Sequence, residues 1–308
     1  MPVDTNVLLA RARRPGERAI EALLLAAAAL TIAITAGIVL ALLSETVEFF
    51  RLVPVGEFLA PGTWDALFCE SVGQGCSYSI WPLLAGTLWV TAIAMAVAVP
   101  TGLAAAVYLS EYAGPRVLGV VRPTLEVLAG IPTVVYGYFA LTFITPNVIE
   151  PLFGQVGTFN VLAGGLVVGI LVLPLVSSIS QDALSSVPLA LRAGGLALGA
   201  RKARVTVRIV VPAALSGIIA SAILAASRAI GETMAVTLAA GKTPNLSANP
   251  LEPMQTMTAY IVQVSLGETP QTDVRFNTLF AVGMTLFVIT FGLNMVSAAL
   301  VRRFKEEY

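Results

Sequence analysis

Apolar stretches long enough to cross a lipid bilayer recur along this chain, and that repetition restricts its folds more than any other feature. Six such stretches run from Ala22 to Leu43, Pro82 to Leu109, Leu125 to Phe143, Val161 to Ser178, Ala213 to Ala240 and Leu279 to Leu300. A spanning helix needs about 20 predominantly apolar residues in one run. Only 12% of residues are charged and 57% are hydrophobic, whereas an ordinary soluble domain carries about 25% charged residues. The expectation is an all-α integral membrane protein with six transmembrane helices. Arg11, Arg13, Arg14 and Arg18 precede the first run in the manner of a signal peptide. That run exceeds the usual core of about 7 to 15 residues, so it reads as a retained helix.

The formal net charge is zero, so bulk electrostatics points to no nucleic acid or acidic partner. The placement of the positive charges carries the information. Besides the four arginines before the first run, Arg116 and Arg122 lie between the second and third. Arg192, Arg201, Lys202, Arg204 and Arg208 lie between the fourth and fifth, and Arg302, Arg303 and Lys305 follow the sixth. That places fourteen of the eighteen Lys and Arg on one side; the other side has Arg51, Lys242 and Arg275, and Arg228 falls inside the fifth run. By the positive-inside rule both termini are cytoplasmic. The division that follows is a cytoplasmic tail, 1–18, and a transmembrane domain, 19–308, with outer loops 44–79 and 241–278 and a cytoplasmic loop 181–212.

Cys69 and Cys76 then share one outer loop with Gly73 and Gly75 between them. An oxidising compartment favours a disulfide, the alternative being two unpaired thiols. A metal site is disfavoured, because there is no histidine and no second cysteine pair. The missing histidine also excludes Ser-His-Asp and Cys-His catalysis within this chain. Gly241-Lys242-Thr243 imitates the end of a phosphate-binding P-loop, but that motif needs a glycine five positions before its second glycine, where this chain has Val236. No nucleotide site is assigned, and no enzymatic activity.

The cytoplasmic stretch Gln181 to Pro212 is too polar to span and too long for a turn. Pro188 and Pro212 bracket a segment that reads as two short helices joined at Gly199. Its mixture of Val, Ile and cationic side chains would also suit a helix lying on an anionic lipid surface. Gly199, nine residues, then Ile209-Val210-Val211-Pro212 is similar to the end of the EAA loop of bacterial ABC importer permeases. The resemblance implies a coupling helix that fits a groove in a cytoplasmic ATPase. Where that family has Glu-Ala-Ala, this chain has Ala193-Gly194-Gly195. A salt bridge from the first position is lost, and each glycine weakens a helix by about 1 kcal/mol relative to alanine.

Further stretches resemble the PstC family of phosphate permeases. They are Gly86-Thr87-Leu88 with Val99-Pro100 and Tyr108-Leu109-Ser110-Glu111-Tyr112; Glu126-Val127-Leu128-Ala129-Gly130-Ile131-Pro132-Thr133-Val134-Val135-Tyr136-Gly137; and Arg228-Ala229-Ile230-Gly231-Glu232-Thr233-Met234-Ala235-Val236. Leu279-Phe280-Ala281-Val282-Gly283 extends the likeness into the last run. The resemblance implies a type I, MetI-like importer permease in a bacterial inner membrane, working with the related permease PstA, a PstB ATPase dimer and the periplasmic phosphate-binding protein PstS. ATP and Mg would belong to the ATPase, with no cofactor in this chain. It further implies a substrate pathway at Arg228, Glu232, Thr233 and Glu126, and ATPase coupling at Ala193, Gly194, Gly195, Gly199, Ile209 and Pro212.

The residues also have readings of their own. Pro100 and Pro132 kink helices, and Gly130 and Gly137 thin their surfaces for packing. Arg228 lies inside an apolar run and Glu232, four residues on, would share its helix face, either as charges of a substrate pathway or as a pair that knits helices together. Glu126 is a competing partner, or snorkels to the interface. The rival reading is an ion-coupled secondary transporter, whose sequence mark is paired broken helices in two repeated halves; no internal repeat is evident here.

Overall fold

The structure is a computed structural model and describes residues 15–68, 76–267 and 274–304. Most of the expected tail 1–18, and Cys69, lie outside the described residues. The described chain is helical, with an isolated bridge between Trp64 and Tyr78. We number the principal helices α1 (Pro15–Leu52), α2 (Trp81–Val107), α3 (Pro115–Gly130), α4 (Thr133–Phe153), α5 (Val161–Ser185), α6 (Leu189–Ala197), α7 (Lys202–Ala213), α8 (Leu215–Ile230), α9 (Met234–Ala239), α10 (Met257–Leu266) and α11 (Val274–Phe304).

Among the described residues four helices are long and apolar enough to cross a membrane, α1, α2 with its extension to Tyr112, α5 and α11; the count reaches six if each of two bent pairs is one span. The first part of α1 leaves its apolar side chains outside the fold, with Leu25 73% and Ile32 70% exposed, whereas Phe49 near its end is buried. Such exposure suits a helix whose solvent is lipid. α5 is its opposite. Asn160 caps it by accepting the Ala163 N–H at 2.7 Å, and glycine faces admit neighbours closely. A Cβ at Gly165 would come within 2.6 Å of Ile93 on α2, and one at Gly102 within 2.9 Å of Val176 on α5. Small residues are what let membrane helices approach, since lipid supplies no hydrophobic drive between them.

Two expected spans are corrected. The Leu125 to Phe143 run is not one helix: α3 starts earlier, at Pro115, and meets α4 at 90°. Ile131 is extended, with φ −67° and ψ 131°, the conformation that a following proline favours over the helical one. The Ala213 to Ala240 run is broken twice. α7 and α8 bend by 68° at Ala214, and α8 ends at Ile230 before α9 begins at Met234. Pro100, by contrast, leaves α2 unbroken. The stretch 241–278 holds α10, whose Thr258 donates to the Glu232 carbonyl at 2.7 Å, so it packs into the bundle.

Candidate functional site

The break between α3 and α4 is held by its own residues. The carbonyl of Leu128 accepts the Ile131 N–H at 3.3 Å and the Tyr136 hydroxyl at 2.8 Å. Gly137 then brings α4 onto α9, since a Cβ there would lie 2.9 Å from Leu238 Cβ and 3.0 Å from the Ala235 carbonyl oxygen. The two helix breaks thus abut. Beside them a cavity of about 250 Å3 is lined by residues that include Arg122, Glu126, Ser178, Gln181 and Arg228. Arg122 bridges Asp182 at 3.2 Å in an exposed pair, of a kind worth about 0 to 1 kcal/mol. Neither Arg228 nor Glu126 has an ion-pair partner among the described residues.

The expected pairing of Arg228 with Glu232 is not the one the structure makes. Sharing a face at i and i+4 requires an unbroken helix, and α8 stops at Ile230. Glu232, 8% exposed, turns its carboxylate to the Ala235 N–H at 3.3 Å. That N–H is one of the donors left unsatisfied at the start of α9. Thr233 is half-buried in the break, its hydroxyl donating to the Gly231 carbonyl at 3.1 Å. Of the four residues singled out, only Arg228 and Glu126 share the cavity.

Gly199 joins α6 to α7 with φ +78°, a left-handed turn that glycine adopts without penalty. Gly195 is buried against Val205 and Ile209, at 3.0 and 2.8 Å from where its Cβ would be, so its lack of a side chain lets α6 lie on α7. Gly194 and Ala193 are exposed, as is Pro212, and Gly194 has nothing within 4 Å of a Cβ position. Sequence reasoning missed the charge contact in this region. Arg192 Nη1 meets Glu111 Oε1 at 2.8 Å, with side chains only 18% and 7% exposed, and Arg192 Nη2 donates to the Leu184 carbonyl at 2.7 Å. Removing one partner of a buried pair costs about 3 to 5 kcal/mol, because the other charge is left uncompensated.

The profile of the family described as the binding-protein-dependent transport system inner membrane component matches residues 98–306. The chain belongs to this family. Among relatives of the permease, the probable ABC transporter permease protein YqgH of Bacillus subtilis is 34% identical over 236 residues, 76% of this chain and 74% of the relative. The phosphate transport system permease protein PstC 1 of Mycobacterium tuberculosis is 35% identical over 249 residues, 74% of each chain. A solved chain from a bacterial ABC transporter that imports alginate shares the fold, with a TM-score of 0.56 and 16% identity over 90% of this chain and 99% of that one. The permease is therefore a transport subunit and a multi-pass membrane protein.

Proposed function

We propose that this permease is the membrane-spanning subunit of an ATP-driven importer of inorganic phosphate, paired with a related permease and coupled to a cytoplasmic ATPase dimer through residues 181–212. The partners are of the PstA, PstB and PstS kinds, ATP and Mg lie at the ATPase, and both termini face the cytoplasm of a bacterial inner membrane. The PstC-type relatives support phosphate as the cargo. A Cys69 to Cys76 bridge would brace the outer loop.

The observation that carries the reading is Arg228, which lines the cavity beside the helix breaks with no ion-pair or hydrogen-bond partner among the described residues. A charge at this depth costs at least about 2.5 kcal/mol on insertion scales and therefore faces a pathway or a partner, not lipid. Its planar fork of donors matches a tetrahedral oxyanion. Glu126 across the cavity keeps it from being a purely cationic trap, while Glu232 and Thr233 hold the break that positions α8. Paired helix breaks also occur in secondary transporters, but membership in a binding-protein-dependent family favours the ATP-driven reading.

Uptake of radiolabelled phosphate tests it in cells where this chain is the sole phosphate permease of its kind. Arg228→Gln should stop phosphate uptake while the complex still assembles, and Arg228→Lys should keep a fraction. Normal uptake by the Gln variant, or loss only through failed assembly, would overturn the pathway role.

A further inference from the structure

At the end of α2 the helix changes to π geometry over Tyr108–Tyr112, marked by the Ala113 N–H bonding to the Tyr108 carbonyl at 2.9 Å. π-Turns are uncommon and gather at functional positions. Both helices of the cytoplasmic loop reach this one turn. From α6, Arg192 pairs with Glu111; from α7, the Lys202 ammonium lies 4.9 Å from the centre of the Tyr112 ring. Arg192 also holds the last turn of α5 through Leu184, and Ser110 stands 3.4 Å from Ser185.

α6 itself is lightly attached. Leu189 is 78% exposed and Leu198, just past its end, 90%, and the described polar contacts of α6 side chains with the bundle are those of Arg192. We propose that Arg192 and Glu111 are positioning residues for coupling: their ion pair is the joint through which displacement of α6 by an ATPase is passed into α2, and so to the helices around the cavity. The inference rests on the importer reading above. A flexible greasy contact would let α6 slide, whereas a buried charge pair resists separation because parting it strands two charges. Arg192 Nε, buried without a partner, leaves the guanidinium a second arrangement in which Nε takes over from Nη1 as donor to the carboxylate. A joint that must hold in two states needs such an alternative.

The test uses the complete complex in proteoliposomes, with the binding protein and radiolabelled orthophosphate outside and ATP accessible to the ATPase. Phosphate imported per ATP hydrolysed is measured for wild type, Glu111→Gln, Arg192→Lys and the double Glu111→Gln, Arg192→Gln. The expected result is a fall of about tenfold in Glu111→Gln, within the range of an ordinary coupling free energy. Arg192→Lys, which can still reach one carboxylate oxygen, should keep most of the ratio. The double variant leaves no stranded charge, so it should assemble yet remain uncoupled. A wild-type ratio in Glu111→Gln or in the double variant would overturn the joint, as would loss of the ATPase from those complexes, which would make the pair a docking contact only. A wild-type complex that hydrolyses no ATP or imports no phosphate would instead sink the importer reading, and the inference with it.

Discussion

Between Gly130 and Thr133 the chain turns at a proline, whereas between Ile230 and Met234 it turns with none. The first break is local: Pro132 keeps Ile131 extended, and Tyr136, one helical turn on, satisfies the Leu128 carbonyl. The second is borrowed. Glu232 caps α9 with its own carboxylate, but its carbonyl is held by Thr258 from α10. A break encoded locally survives loss of one contact, and a break held from outside depends on the segment that holds it.

The largest effect should come where the two breaks touch. Gly137→Val would drive methyl groups into the Ala235 backbone and Leu238, an overpacking cost of about 1 to 3 kcal/mol or more. A Cβ at Gly130 would meet nothing within 4 Å, so thermal unfolding of the isolated chain in detergent should separate Gly137→Val sharply from Gly130→Val. Equal stability would show that the breaks do not depend on each other.

A smaller loss is expected at the second break. Glu232→Ala removes the cap on Ala235 and should cost about 1 to 2 kcal/mol, while Glu232→Gln keeps an accepting oxygen and should lose much less. Were Glu232 acting as the ionic partner of Arg228, Gln would harm as much as Ala. Chemical denaturation in mixed micelles measures both.

The first break should be the most tolerant. Tyr136→Phe removes one hydrogen bond and should cost about 1 kcal/mol. Pro132→Ala should cost less than about 1 kcal/mol, mainly by freeing the unfolded chain, with the 90° turn retained. A large loss on Pro132→Ala, measured in the same micelles, would mean that proline alone enforces the turn.

Helices α1, α2, α5 and α11 are legible from the length of their apolar runs, although Pro100, which reads as a kink, leaves α2 unbroken. The start of α3 is hidden in the sequence, since Pro115 to Thr124 is amphipathic and blends with loop composition. Pro132 was legible as a kink, but a right angle was not. The turn after Ile230 left little trace in sequence: Gly231, Glu232 and Thr233 sit within an otherwise apolar stretch, and Thr258 contributes from another segment. Gly199 was legible because a left-handed turn between short helices calls for glycine, and Gly195 reads as a contact glycine only once Ile209 is seen against it.

What the amino-acid order determined by itself is the solvent and the inventory: apolar run length selects a bilayer, and the sequence carries an EAA-like loop and an arginine, Arg228, within an apolar run. Only the tertiary structure decided which charge meets which. Arg228 lost Glu232 because a helix ended between them, and Arg192 found Glu111 across the bundle because α6 folds back onto the end of α2. Ionic partnership depends on distance in space, and residue spacing reports that distance only while one helix continues unbroken.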